Sequence, residues 1–455
     1  MSGFFTSLGH NLRRLPANVR RGLRPLPPRA EDARVRMRRA FVYHIHPRTV
    51  SERALAPATT LGLGVAAATL FAALGVTGVL LMIYYVPTPE GAHASMLDLQ
   101  HAVTFGPFVR ALHRWAAHGM VLVVGLHLLR VVAQAAYRGR ELNWLLGLGL
   151  LAATLGLAFT GYLLPWDNRS YWAVTVSANL LDHVPALGAW LKELFIGGRV
   201  VGQPTLLRFY LLHVALLPAG MLLLVALHLW RIRRDGGLAR DPERVPAGAE
   251  LPAWPHLVLR EGILVLLLLA AFAAAAELIA APLGAAPDPH HPANPEKAPW
   301  YFLWLQEMVS YSAAVGGVIY PLAGSLLLLL LPWLDRERAA VGRWFGPRPV
   351  RWTAAASTLV AAGGFVLFAA LAIGGWQAAV AADWRADLLN PASGMLLLAL
   401  LAFWLGGWAS GSTRAACLGA LLVLGVGVLG CMLLGLCRGP DWAFYWPWEA
   451  WPGVD

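Results

Sequence analysis

Residues 112–130 read LHRWAAHGMVLVVGLHLLR, a stretch apolar enough to lie in a bilayer that still carries three imidazoles, His113, His118 and His127. Imidazole titrates near neutral pH and ligates metals through either ring nitrogen, so its presence at membrane depth calls for a reason. His113 and His127 are 14 residues apart. At ~100° per residue they lie about 40° from eclipsed, on one helix face. A second segment, RFYLLHVALLPAGMLLLVALHLWR, sets His213 and His228 15 apart, about 60° from eclipsed. Each spacing is a rise of roughly 21–23 Å, which puts one ring of each helix near each membrane surface. If the two helices run the same way, His113 is level with His213 and His127 with His228. Two stacked imidazole pairs fit the axial positions of two iron porphyrins, held inside a helix bundle and ~20 Å apart along the membrane normal. A single intramembrane histidine is commonly no more than a hydrogen-bonded interhelical contact; four rings in two level pairs are hard to obtain that way. His118 lies about 140° from His113 and reads as a packed or propionate-side residue rather than a ligand.

Glycines repeat the pattern. Gly64 and Gly78 are 14 apart, as are Gly147 and Gly161, on the helices that flank the two histidine segments. A glycine lets a flat macrocycle approach the backbone. On their own such pairs would mean only tight helix packing.

The elements that must position these residues are membrane helices. The chain has 455 residues, 58% hydrophobic and 13% charged, against about 25% charged in soluble domains. Apolar windows long enough to span a bilayer, which takes ~20 residues, fall at 58–85, 108–136, 142–163, 205–232, 257–281, 313–333, 352–375, 392–410 and 414–436, the eighth being the shortest. The expected fold is an all-α integral membrane protein, a four-helix bundle plus about five further spans. The net charge of +11 is arranged by topology and not for nucleic acid. Arginines crowd the segment from Arg13 to Arg53, and further clusters follow the second span (Arg138, Arg140), the fourth (Arg231, Arg233, Arg234, Arg240) and the sixth (Arg336, Arg338, Arg343, Arg348, Arg351). This alternation follows the positive-inside rule and places the N-terminus in the cytoplasm. It leaves the Trp-rich tail GPDWAFYWPWEAWPGVD outside. Residues 31–50 could lie as a basic amphipathic helix on the inner leaflet, and no cleavable signal is expected. The three cysteines, Cys417, Cys431 and Cys437, form no CxxC or CxxCH motif, which excludes a zinc ribbon and c-type haem attachment.

The ordered stretches LHRW…LHLLR, ELNW, GYLLPWDNRSYWAVTV and RFYLLHVALLP…LHLWR resemble the core of cytochrome b of quinol:cytochrome c oxidoreductases, over about residues 35–235. The HRW and PWD wording and the 15-residue spacing are more similar to the b6 branch. The continuation to about residue 375 resembles a fused form of that branch's smaller quinol-site subunit; the last two spans match less clearly. The resemblance implies a domain order of 1–57 basic tail and amphipathic helix, 58–240 dihaem core, 241–375 quinol-site helices, and 376–455 additional helices and outer tail. It implies that His113 and His213 ligate an outer b-type haem and His127 and His228 an inner one, both non-covalent, with Arg114, Arg130 and Arg208 as propionate partners. It implies that the segment from Trp172 to about Phe195 forms outer amphipathic helices over a quinol-oxidising pocket. It further implies a Rieske iron–sulfur protein and a c-type cytochrome as partners, quinol as substrate, quinone reduction near the inner face, redox-driven proton translocation, a homodimer among membrane lipid, and a bacterial cytoplasmic membrane.

Two departures from the family pattern stand out. The family's Pro-Glu-Trp-Tyr signature becomes NPEKAPWYFLWLQEM: Trp300 and Tyr301 are kept, but Pro299 holds the position of the proton-accepting glutamate. Glu296 or Glu307 could substitute, and Glu307 is favoured because an ionisable group at membrane depth is costly without a purpose. His290 and His291 on the same loop read as solvated residues rather than relays. Gly62 stands where the b6 branch carries the cysteine of a covalent third haem, so that haem is not expected. Two other classes compete. A dihaem membrane anchor of a dehydrogenase or hydrogenase would have a single quinone site, fewer spans and no PWY loop. A proton-relay transporter would be colourless.

Overall fold

The computed structural model describes residues 46–239, 248–292, 294–337, 340–374, 390–449 and 451. The amphipathic helix expected at 31–50 lies almost wholly outside them, as do Arg240 and Arg338. Among the described residues nine helices are long and apolar enough to cross a membrane. They are α1 (Leu63–Met82), α3 (Gly106–Ala133), α4 (Glu141–Leu163), α7 (Gln203–Arg234), α8 (Ala253–Leu278), α10 (Val315–Leu334), α11 (Arg348–Ile373), α12 (Pro391–Ser410) and α13 (Thr413–Leu436). All nine fall on the windows read from apolar runs, the short eighth included. Four further helices lie between spans: α2 (Pro89–His101), α5 (Asn168–Leu180), α6 (Gly188–Ile196) and α9 (Trp300–Tyr311).

Local chemistry sets several of the boundaries. Gly62 enters α1 with φ +63, and a Cβ there would press into the Leu264 side chain of α8. Thr88 caps α2 through Gly91 N, and Asp167 caps α5 in a reciprocal capping box with Ser170, which satisfies helix-end N–H groups that otherwise lack partners. Asn390 and Ser412 cap α12 and α13 in the same way. A short antiparallel ladder, β1 (Thr49–Ser51) on β2 (Glu250–Pro252), ties the entry to α1 to the entry to α8.

Helix α3 packs closely on α1, and α7 on α4, while α8 covers α1 and α3. By contrast α3 and α7 make little close backbone approach, which leaves a slot between them. Across the middle of this bundle lies an apolar layer of Leu70, Ala116, Met120 and Met221, flanked by Leu150, Ala153, Leu157 and Phe272. Spans α10 to α13 and α9 share a second core that includes Met308, Tyr320, Phe365, Met395 and Val423.

The end of the bundle that carries the arginine clusters is held by arginines donating to helix-end carbonyls. Arg138 reaches Pro332 O (2.6 Å), Arg140 reaches Asp235 O (2.8 Å), and the fully buried Arg414 of α13 reaches Val132 O and Ala133 O of α3. Arg414 also donates to Tyr137 Oη (2.7 Å), whose own proton goes to Asp335 (2.5 Å).

Candidate functional site

The 15-residue spacing in α7 has a structural cause. Residues Leu212–Leu216, which include His213, form a π turn inside an otherwise α-helical span. Such a turn takes up one extra residue, so His213 and His228 stand in the same relation as residues 14 apart on a regular helix. That is the spacing of His113 and His127 on α3.

At one end of the slot the His113 and His213 rings face each other with centroids 6.2 Å apart and planes 70° apart. A metal ion bound by two imidazole nitrogens at about 2 Å each needs a gap of this order. Their remaining nitrogens are already assigned. The Thr77 hydroxyl donates to Ala73 O (2.8 Å), so its oxygen accepts from His113 Nδ1–H at 2.8 Å. His213 Nδ1–H donates to Leu157 O (3.1 Å), with Thr160 Oγ1 also near. Both rings are thereby held in the tautomer that leaves Nε2 free as a ligand, the arrangement metal-bound histidines require of their outer partners. Thr77 and Thr160 were not read from the sequence. Their signal is the repeated Thr-Gly pair, Thr77–Gly78 and Thr160–Gly161.

Each of the four glycines faces one of the four histidines. A Cβ on Gly78 would sit 3.3 Å from His113, on Gly64 3.9 Å from His127, on Gly147 3.6 Å from His228, and on Gly161 inside contact distance of His213. At the other end of the slot His127 and His228 lie within electrostatic range of one another. Their Nδ1 atoms are buried and make no hydrogen bond of standard geometry, although the Asn143 main chain adjoins His228. Asn143 Oδ1 and Arg130 Nε are buried and unpartnered there as well, as is Arg114 Nε. Buried polar atoms are rarely left unsatisfied, and the two guanidinium N–H donors, Arg114 Nε and Arg130 Nε, fit a group that brings anionic acceptors. The donor set, the glycine cradle and the orphaned guanidinium atoms all fit haem with its propionates. Arg208 takes a different part from the expected one. Its guanidinium donates to Leu194 O and packs against Gly197, which closes the end of α6 rather than facing the slot.

A polar cluster adjoins the His113–His213 end. Pro299 is the N-cap of α9, which puts Trp300 and Tyr301 in its first turn. Trp300 Nε1–H donates to His118 Nδ1 (3.0 Å), and the Tyr301 ring lies 5.7 Å from the same imidazole. His118 is therefore the contact between a histidine-bearing span and the PWY segment, a role its isolated helix position did not disclose. Burial pushes the Tyr301 phenol up to about 12. Glu296 pairs with Arg169 (2.9 Å), and burial holds its carboxyl above the usual carboxylate range in spite of that arginine. Helix α5 closes this side: Asp167 accepts from Gly284 N (2.9 Å), Asn168 from Asp288 N (2.9 Å), and Trp172 donates to Asp288 O (3.0 Å). His291 pairs with Asp288 on the exposed loop, and the adjacent His290 main-chain N–H donates to the same carboxylate. Helices α5 and α6 occupy the segment between Trp172 and about Phe195 where helices are expected.

Glu307 does not join this cluster. Its carboxylate is fully buried but accepts from Arg438 Nε (3.0 Å) and Nη2 (2.6 Å), Tyr311 Oη (2.5 Å) and Trp442 Nε1 (3.0 Å). The preference for Glu307 over Glu296 as a proton acceptor is corrected on this ground: its oxygens are filled by Tyr311 of its own helix and by Arg438 and Trp442 of the C-terminal segment.

A membrane bundle with two pairs of level histidines, each ring backed by a glycine, has the form of a haem-binding electron carrier. Residues 118–286 match the family model described as cytochrome b(N-terminal)/b6/petB, and residues 289–374 the one described as cytochrome b(C-terminal)/b6/petD. The chain is 46% identical over 162 residues to a cytochrome b6 of Heliobacterium mobile, covering 35% of this chain and 76% of that one. It is 42% identical over 162 residues to the menaquinol:cytochrome c reductase cytochrome b subunit of Bacillus subtilis, covering 35% and 72%. A solved hyperthermophilic respiratory Complex III chain shares the fold, with a TM-score of 0.62 at 24% identity over 89% of this chain and 97% of that one. The chain belongs to the cytochrome b/b6 family, which implies b-type haem as its cofactor.

Proposed function

We propose that this chain is the cytochrome b subunit of a quinol:cytochrome c oxidoreductase, working with a Rieske iron–sulfur protein and a c-type cytochrome, as a homodimer in a bacterial cytoplasmic membrane. The observation that carries the reading is the coincidence of two histidine tiers with a Trp300–Tyr301 segment hydrogen-bonded to the same span. The names of the relatives, cytochrome b6 and menaquinol:cytochrome c reductase cytochrome b subunit, support it. When bound, two non-covalent b haems supply one-electron carriers at two depths between an outer quinol-oxidising site and an inner quinone-reducing one. His113 and His213 would hold the outer haem and His127 and His228 the inner; Arg114 and Arg130 would supply charge for propionates.

At the outer site Trp300 fixes His118 as a neutral ring, because an indole N–H can only donate. Tyr301 stays a protonated phenol and can donate to a quinol oxygen. Glu296 is the carboxylate placed to take a proton where Pro299 has removed the family's glutamate, and its raised pKa brings it nearer the working pH. Helices α5 and α6 exclude water from this side. The arginine-rich end faces the cytoplasm on the positive-inside rule, so protons released at the outer site leave on the opposite face.

A reduced-minus-oxidised spectrum with haem quantification tests this directly. The expected result is a b-type spectrum with two haems per chain, and His213→Leu removing only the outer one. One haem or none in the intact wild-type protein would overturn it. A single quinone site insensitive to outer-site quinol analogues would favour a dehydrogenase anchor instead.

A further inference from the structure

The last two spans lie beyond the family match, which ends at residue 374. Their contacts converge on one place. Gly435 near the end of α13 packs so closely on Leu303 of α9 that a Cβ there would come within 2.7 Å of that side chain. Beyond it the chain turns back as a small hairpin, with Tyr445 N donating to Cys437 O and Gly439 N to Ala443 O, both at 2.8 Å. This hairpin binds the PWY segment from both sides. Before Trp300, Lys297 Nζ donates to Leu436 O (2.9 Å), and Asn294 and Asp441 exchange two hydrogen bonds of 2.7 Å. After Tyr301, Glu307 and Tyr311 are bound by Arg438 and Trp442. Arg438 is itself held by Trp442 O (3.0 Å). The other end of α13 is anchored independently by Arg414 on Tyr137 and Asp335.

We infer that α13 and its hairpin are a clasp that positions Trp300 and Tyr301 for quinol oxidation, with Arg438–Glu307 as the positioning pair. The inference rests on the reading of the PWY segment as the quinol wall. A buried, multiply bonded carboxylate that touches neither the histidine tiers nor the Arg169–Glu296 cluster has no evident catalytic use. It is placed instead to fix the rotation and depth of α9. Because the hairpin grips residues on both flanks, the two-residue wall between them is constrained as a splinted bone is. Misplacement of a reacting group by ~1 Å can cost 10²-fold in rate.

The test uses the intact complex with Arg438→Leu, Arg438→Lys and the milder, exposed Asp441→Ala. The expected result for Arg438→Leu is a fall in kcat/KM for quinol on the order of 100-fold, with a raised KM. Both b haems should keep wild-type content and spectra, and amide hydrogen exchange should accelerate within residues 294–311. Arg438→Lys should recover part of the loss, since an ammonium can bind one carboxylate oxygen but not both. Asp441→Ala should loosen exchange before Trp300 with a smaller kinetic effect. Unchanged quinol kinetics with haem retained would overturn the inference, as would haem loss and faster exchange throughout, which would mark general support. Should the wild-type complex fail to oxidise quinol, the site reading fails separately; faster exchange confined to 294–311 would then still establish the clasp, and unchanged exchange there would dismiss it.

Discussion

The tightest of the four glycine positions is Gly161, where any side chain would enter the His213 imidazole. Gly161→Ala is expected to abolish outer-haem binding and leave the inner haem in place. Gly64→Ala, whose Cβ would stand at 3.9 Å from His127, should be tolerated. Haem quantification and low-temperature difference spectra of the two variants check this, and an indifferent Gly161→Ala would deny the glycine its part in the cradle. Glu296 offers a second residue-scale test. Its carboxyl is raised above the usual range by burial, so it loses its proton only as pH climbs past that raised value, and the quinol-oxidation rate should rise across the same window. Glu296→Gln should flatten this limb; Glu307→Gln should lower the rate without moving it. A profile unchanged in Glu296→Gln would return the acceptor role to another group. These residues were legible to different degrees. The four histidines and four glycines carry their meaning in spacing alone. Thr77 and Thr160 do not, because a hydroxyl bonded back to its own helix looks like any membrane threonine. Arg208 misled, since adjacency to a ligand along the chain does not fix where a long side chain ends.

The π turn at Leu212–Leu216 is the decisive feature at the level of the element. Deleting Val214 should return the span to regular α-helix and leave His213 and His228 14 apart, the relation the turn now gives them. The expected outcome is that both haems are kept, read from the same spectra; loss of the outer haem would show that the turn does more than take up the extra residue. The nine spans were readable because a membrane helix depends on local apolar length. The π turn was not, and its only trace was a spacing of 15 where the partner helix has 14. Helix α9 illustrates the opposite limit. Its start at Pro299 is written locally, but the fate of Glu307 depends on Arg438, 131 positions away, and no period or motif connects the two.

Across the whole molecule, α13 is pinned at both ends by buried ion pairs, Arg414–Asp335 and Arg438–Glu307. Both Arg414 and Asp335 are wholly buried. Asp335→Leu alone should therefore destabilise the protein by about 3–5 kcal/mol, because it strands a charge. The double variant Asp335→Leu/Arg414→Met should recover much of that loss, and chemical denaturation in detergent would compare them. A single variant as stable as wild type would show that the pair is not holding the two halves together. Last, the layer of Leu70, Ala116, Met120 and Met221 between the histidine tiers has a consequence of its own. Beside this layer along the chain, the hydroxyls of Thr69 and Thr154 are each tied to a carbonyl of their own helix, Val65 O and Leu150 O. The four side chains of this layer hold no titratable group, so they give hydrogen ions no relay of their own, whereas electrons can tunnel through hydrocarbon. The same greasy partition would conduct one kind of charge and insulate against the other, so a voltage once built across it would not drain back through the wire that built it.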